Sequence, residues 1–361
     1  MDEGHEITEK LLKELEKRLK RLYSLASSEI RDKLKDYWKR FEAKNKVKLT
    51  LREGKIITPE VRGYAKSRNI PLTEKVVEEY YNYWLKGQIA IGKRWEEMRD
   101  TLAEDMHHVN EIAADMIEES NLDVYALNHN YGTYEIEKGA LVNTSYTLYD
   151  RETVRRLVKD NPDILPTPRP ENRDVRWNAQ LFQSHLLQGI LQGESIPKIA
   201  ERVALGTAQR DLDASIRNAR TATTGAENGG RVASYKRCED MGIEVKKVWI
   251  ATLDGRTRHT HRLLDGQKAA VEESFKVEGE KIKFPGDPSA PGHLVWNCRC
   301  TLIADVGGVD YDVSNLSNRN TDHLKDATYE EWKQGQSKPK HYGESVKQYE
   351  RRVYGAKNNR S

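Results

Sequence analysis

From Ile7 to Ile30 the chain reads ITEKLLKELEKRLKRLYSLASSEI, with Leu11, Leu15, Leu19 and Leu22 at helical spacing and Glu and Lys between them. Apolar residues three and four apart share one helix face, so the segment predicts an amphipathic helix that must bury its leucines against a partner. The pattern continues through Tyr37, Trp38 and Phe41 to about Lys48, until the prolines and glycine of TPEVRGYAKSRNIPLT interrupt it. A second helical block runs from EKVVEEYYNYW to MIEES, where Trp84, Ile91, Trp95, Met98, Leu102 and Met106 form an apolar stripe suited to helix packing. His107 and His108 are sequence neighbours, so on a helix their side chains diverge by about 100°. They read as surface polar residues rather than ligands of one ion.

Farther along, NPDILPTPRPENRDVRW carries four prolines and reads as a linker. RWNAQLFQSHLLQGILQGESIPKIAERVALG then resumes as two helices. Ser195 is placed to cap the second, and Pro197 sits in its first turn, where the backbone amide has no helical acceptor to lose. DLDASIRNARTATTGAENGGRVASYKRCEDMGI reads as a further helix. Its small residues Ala219, Ala222, Ala226 and Gly229 would let another backbone approach, and Gly242 would end it. There the period changes. EVKKVWIATL alternates and is rich in β-branched residues, predicting a strand, and the remainder to CRCTLIADV reads as short strands and loops.

The expected fold class is therefore α+β, a predominantly helical N-terminal region followed by a small C-terminal α+β module. Along the chain this gives amphipathic helices over 1–56, a helical region over 57–160, a Pro-rich linker over 161–176, the module over 177–306 and a polar basic tail over 307–361.

Composition refines this picture. A chain of 361 residues has room for two or three domains. With 37% hydrophobic and 32% charged residues, and a mean hydropathy of −0.83, it favours a highly charged helical surface. No apolar run approaches the ~20 residues needed to cross a bilayer, and MDEGHEITEK lacks the pattern of a signal peptide. No membrane partner is expected, and the cytoplasm is the expected starting compartment. Cys238, Cys298 and Cys300, the three cysteines, do not make a disulfide framework. A net charge of +3 does not by itself imply nucleic-acid binding. Two stretches are nevertheless basic, RDKLKDYWKRFEAKNKVK and the C-terminal tail. In the tail, Lys338, Lys340, Lys347, Arg351, Arg352 and Lys357 are candidate contacts to DNA phosphates, and the plainer reading is a solvated end.

Chemically capable side chains concentrate in TLDGRTRHTHRLLDGQ and FPGDPSAPGHLVWNCRCTL, which bring Asp254, Arg256, His259, His261, Asp265, His293, Asn297, Cys298 and Cys300 into one stretch. Zinc is one reading, since thiolates and neutral imidazoles form tetrahedral sites, although paired ligands are usually two to four residues apart. A metal-dependent nuclease acting on DNA is a second, with Asp254, His261 or His293 holding a divalent cation. Redox or nucleophilic chemistry at Cys298 or Cys300, beside Arg299, is a third. The preferred reading is structural. Asp254 and Asp265 precede glycines and accept nearby amides as turn formers, Arg256 or Arg299 pairs with Asp265 or Asp287, and Trp296, Cys298 and Cys300 face a small core with Arg299 on the opposite side.

The same stretches carry a resemblance. RNARTATTGAENGGR with Arg220, VWIATLDGRTRHTHRLLDGQ with Trp249, Asp254, Arg256, Thr257, His261, Asp265 and Gly266, ESF with Phe275, FPGDPSAPG with Pro285, Gly286, Asp287 and Pro288, and NCRCTL with Asn297, Cys298, Arg299 and Cys300 follow in that order. The ordered set resembles the Mu F-like minor head proteins of tailed bacteriophages, the head-morphogenesis family. The resemblance implies a non-catalytic, low-copy component of the phage or prophage head, located in the head interior or portal region of the virion. Its implied partners are the portal protein, scaffold or major capsid protein, and in some members packaged double-stranded DNA. Some members carry nuclease-like or ADP-ribosyltransferase-like modules at the C-terminus, whereas only about fifty polar residues follow CRCTLIADV here. The resemblance also implies, for many members, a Cys-x-x-Cys pair in the turn and a histidine three residues before Cys-Arg-Cys, together a four-ligand zinc arrangement. At the matching positions this chain has Arg258 and His261 in the turn and Val295 before Cys298. No cofactor is therefore expected, with zinc at His261, Cys298 and Cys300 as the weaker alternative, unless His259 or His293 substitutes for a missing ligand.

Overall fold

Long helices carry most of the architecture in the computed structural model, which describes residues 2–53, 59–71, 73, 80, 93–166, 168–309 and 323–337. They are α1 (Glu3–Glu53), α2 (Pro59–Ser67), α3 (Lys93–Ala140), α4 (Arg151–Asp160), α5 (Asn172–Leu191) and α6 (Ile196–Glu239). Trp84, Ile91 and the six basic tail residues named above lie outside the described residues. The chain divides into two compact units, one of Glu9–Asn121 and Pro166–Thr223, the other of Met1–Thr8, Leu122–Leu165 and Thr224–Ser361.

The first unit is helical. On α1 the buried residues are Leu12, Leu15, Leu19, Tyr23, Ala26, Ile30, Leu34 and Trp38, in steps of three and four, packed with Leu102 and Met106 of α3, Phe182 and Leu186 of α5, and Ile199 and Val203 of α6. The expected face is thus slightly rotated, with Leu15 and Leu19 at its centre and Leu11 and Leu22 half-buried at its edge. Burying each of these leucine and isoleucine side chains contributes roughly 1.5–3 kcal/mol. One polar network interrupts the apolar packing. The Tyr23 hydroxyl lies 2.6 Å from both Asn110 Oδ1 and Ser215 Oγ, while the amides of Asn110 and Asn178 donate to Asp211 Oδ2 at 2.8 and 3.2 Å.

Helix α6 runs unbroken where the sequence suggests separate helices. Gly206 does not stop it. A glycine within a helix costs only about 1 kcal/mol, and here its bare Cα makes room for the His185 ring, which an added Cβ would meet at 2.6 Å.

In the second unit, β1 (Ile243–Ile250) is the centre of an antiparallel sheet ordered β2-β1-β5, with β2 at Lys268–Ala270 and β5 at Thr301–Val309. Trp249 faces Leu302 and Lys247 faces Ala304 across β1 and β5. Strands β3 (Phe275–Val277) and β4 (Glu280–Ile282) form a separate hairpin. Two short helices, α7 (His259–Leu264) and α8 (Gly292–Val295), stand where only strands and loops are expected. Beyond the sheet come α9 (His323–Asp326) and α10 (Tyr329–Ser337). Gly242, at φ 86°, follows the end of α6 as expected of a helix stop.

The core joins Trp249, Phe275, Leu264, Leu294 and Leu302 with Ile136 and Tyr235 from α3 and α6. Alternation along β1 buries Ile243, Val245, Lys247 and Trp249 together. Lys247 is the odd member. Burial pushes its pKa down to about 8, and its ammonium donates to the Val271 carbonyl at 2.8 Å. Close backbone approach does occur on α6, one residue away from the expected small positions. A Cβ on Gly225 would meet the Gly286 carbonyl at 2.9 Å, and one on Gly230 would meet the Tyr125 carbonyl at 2.6 Å.

Candidate metal centre

After β1 the chain turns through residues 252–258, and each polar residue there has a positional job. Asp254 accepts the amide of Arg256 at 2.8 Å, its own amide donates to Thr257 Oγ1 at 3.0 Å, and the Thr257 hydroxyl reaches the Thr252 carbonyl. Arg299 then grips both Asp254 oxygens, at 2.7 and 2.8 Å, and holds this carboxyl well below the usual range. Its expected partners are otherwise engaged. Asp265 accepts the Ala251 amide at 2.8 Å, while Asp287 accepts the amides of Lys283 and Ser289 and the Ser289 hydroxyl. Arg256 is 77% exposed and reaches Asp254 only at 3.9 Å.

Helix α6 positions the Cys-Arg-Cys stretch from the other side. Thr224 Oγ1 donates to the Cys298 carbonyl at 2.7 Å, and the Asn228 side chain donates to the Cys300 carbonyl at 3.3 Å and accepts the Leu302 amide at 2.9 Å. Gly286, at φ 82°, presses its backbone against Gly225, and Pro285 and Asp287 are buried beside it while Pro288 is exposed. Only glycine fits this contact, because an L side chain would meet Gly225 N at 2.4 Å.

Cys298 and Cys300 are buried, as expected, but Trp296 is 67% exposed rather than in the core. The short helix α8 turns it outward, and Asn297 follows in the left-handed region at φ 58°. The two sulfurs meet His261 of α7. His261 Nδ1 lies 3.3 Å from Cys300 Sγ and 3.4 Å from Cys298 Sγ, and the three ligand atoms all lie within 4.8 Å of one another. His261 Nε2 is 2.9 Å from the Leu294 carbonyl, and the Cys300 amide donates to Cys298 Sγ at 3.3 Å. Pairing with Cys298, against burial and aided by His261, pulls the Cys300 thiol down, while the same pairing and burial push Cys298 up. Among the described residues, this group of one histidine and two cysteines is the one whose ligand atoms lie close enough together to hold an ion.

The other sequence candidates stand apart from it. His259 is 75% exposed, with Glu278 at 3.8 Å, and His293 is exposed. Phe275 and Trp249 pack edge to face at 5.3 Å in the core, and Trp249 meets the His261 ring at 5.8 Å. Gly266, at φ 76°, closes the turn after α7, its amide donating to the Trp249 carbonyl. Arg220, in the helical unit, pairs with Glu16 at 2.7 Å. His107 and His108 both lean on Glu111, at 3.8 and 3.4 Å.

Sequence reasoning missed the buried cluster around Arg231. Its guanidinium is fully enclosed and donates to both Asp2 oxygens at 2.7 Å, to the Leu302 carbonyl and to Asn128 Oδ1. One turn earlier, Glu227 accepts Thr301 Oγ1 at 2.7 Å and faces His5 Nδ1 at 2.8 Å. The available signal was an Arg at i+4 from a Glu on an otherwise small-residue helix face.

The turn, the glycine contact and the Cys-Arg-Cys strand fall within a match of residues 180–303 to the model of Phage Mu protein F like protein. This segment resembles the Mu F-like family. The minor head protein GP7 of Bacillus phage SPP1 is 28% identical to the chain over 249 residues, 67% of this chain and 77% of that protein. The NAD(+)--arginine ADP-ribosyltransferase EFV of Enterococcus faecalis is 28% identical over 215 residues, 57% of this chain but only 43% of that enzyme. The chain therefore spans less than half the length of this enzyme. No solved structure matches the chain. Among the described residues, no helix is long and apolar enough to cross a membrane.

Proposed function

We propose that this chain is a minor head protein of a tailed phage or prophage, resident in the virion and acting in head morphogenesis. The observation that carries the reading is the likeness to the SPP1 minor head protein, which extends well beyond the Mu F-like segment to 77% of that protein. The long amphipathic helices supply surface for docking on portal, scaffold or major capsid protein, and the basic tail supplies charge for packaged DNA. Such phosphate contacts would weaken steeply with salt.

The role is structural rather than catalytic. Of the residues a nuclease reading would use for a cation, Asp254 has both oxygens engaged by Arg299, and His293 is exposed and apart from His261. Co-purification with the portal protein, followed by mass spectrometry of intact heads, tests the proposal. The expected result is a few copies per head, and absence from both preparations overturns it. Incubation with DNA and Mg²⁺, Mn²⁺ or Zn²⁺ should give no cleavage. Incubation with NAD⁺ and an arginine acceptor should give no transfer.

A further inference from the structure

We infer that His261, Cys298 and Cys300 bind one thiophilic divalent cation, zinc-like in its chemistry, which fastens the 291–300 loop to α7. The inference goes beyond the head-protein reading and does not rest on it.

Hydrogen bonding around the imidazole is the starting point. A carbonyl can only accept, so His261 Nε2, 2.9 Å from the Leu294 oxygen, carries the ring proton. In the neutral ring Nδ1 then presents a bare lone pair, aimed at two sulfurs 3.3 and 3.4 Å away. One lone pair can take one S–H. Two buried sulfurs crowd that one acceptor, in a place where an unmatched polar group is costly. A cation between the three atoms resolves the shortage, because all three then donate electron pairs to it.

Geometry and charge agree with this occupant. With metal–sulfur bonds of about 2.3 Å and metal–nitrogen bonds of about 2.0–2.1 Å, a tetrahedral ion separates S and N ligands by roughly 3.5 Å. The observed separations need little adjustment. The Cys300 amide points at Cys298 Sγ at 3.3 Å, a donor suited to a thiolate, and the Nε2 contact fixes the tautomer and ring orientation that a metal-bound histidine requires. Two thiolates and one divalent cation sum to zero charge, so burial of the whole group is tolerable. Binding releases to solvent whatever protons the two sulfurs still hold and changes no oxidation state. Three protein ligands leave the fourth position to water.

The test uses the full chain, reduced and then equilibrated with Zn²⁺ or Co²⁺ before removal of excess metal. The expected result is about one zinc per chain by elemental analysis, and a thiolate-to-cobalt charge-transfer band in the Co²⁺ form. Cys298→Ser and Cys300→Ser should each lose the stoichiometric metal, whereas Cys238→Ala, which removes the third thiol outside the cluster, should retain it. Because a cluster variant could unfold, the cobalt band of the unmodified chain decides independently of any substitution. Folded, reduced chain that keeps no stoichiometric metal overturns the inference. So does a Co²⁺ complex with no thiolate band, or metal retention undiminished in both serine variants.

Discussion

Arg299 and Asp254 face each other as a two-pronged pair, the two terminal guanidinium nitrogens each donating to one carboxylate oxygen, at 2.7 and 2.8 Å. The pair joins the turn after β1 to the strand entering β5, and Asp254 in turn holds the Arg256 amide. Asp254→Asn or Arg299→Lys should therefore loosen residues 252–258 without melting the core. Hydrogen exchange at the Arg256 amide is expected to accelerate strongly in both variants, and the double variant should exchange no faster than either single one. Because the folded pKa of Asp254 is depressed, the contribution is full above the ordinary carboxylate range and fades as pH falls through the lowered folded value.

Two glycines in helices should respond in opposite directions to alanine. Gly225→Ala places a Cβ 2.9 Å from the Gly286 carbonyl, a backbone atom that cannot step aside, and should cost about 1–3 kcal/mol. Gly335→Ala on α10 meets nothing within 4 Å and should stabilise by up to about 1 kcal/mol through helix propensity. Urea midpoints of the two variants give the comparison.

His129 should make the protein acid-sensitive well above the carboxylate range. It is stacked on Tyr149 at 3.9 Å and bonded to the Tyr146 hydroxyl at 2.7 Å. Burial, with Arg237 adding to it, pulls its pKa down to about 3 from the usual 6.5. Above 6.5 it is neutral in both folded and unfolded chains and contributes no pH dependence. As pH falls from 6.5 towards 3 the unfolded chain takes up a proton that the folded one refuses, so stability declines. Glu135 works the other way, since burial raises it to about 7 and stability is lost as pH rises from 4.5 to 7. The difference between the unmodified chain and His129→Phe isolates the histidine. Thermal midpoints from pH 8 to 4.5 should fall less steeply in the variant.

Arg231→Met should be among the most damaging single changes. It strands Asp2 and takes a donor from the Leu302 carbonyl and Asn128, and removing one partner of a buried pair costs about 3–5 kcal/mol. Asp2→Asn keeps part of the hydrogen bonding and should cost less. Equilibrium unfolding of both variants measures the ratio.

Much of this architecture could be read from the linear pattern. The leucine face of α1, the alternation of β1, the Gly242 stop and the turn-forming carboxylates at Asp254 and Asp265 are local consequences of spacing and turn chemistry. What escaped was long-range. Alternation puts Arg299 on the face opposite the cysteines, but nothing local says which of three carboxylates it will find. The turn of α8 that exposes Trp296 depends on four residues too short to show a helical period. The meeting of His261 with two sulfurs almost forty positions away needs the whole module folded, and so does the enclosure of Arg231 by Asp2.

Asn228 has a consequence of a different kind. From a helix outside the sheet, its side chain donates to the Cys300 carbonyl just ahead of β5 and accepts the Leu302 amide within it. Sliding β5 by one residue against β1 would turn Leu302 from the core to the other face and break both of these contacts at once. The strand's alignment is thus encoded twice, by its neighbour and by a single side chain on α6. Asn228 acts as a ratchet tooth that lets β5 dock in one position only.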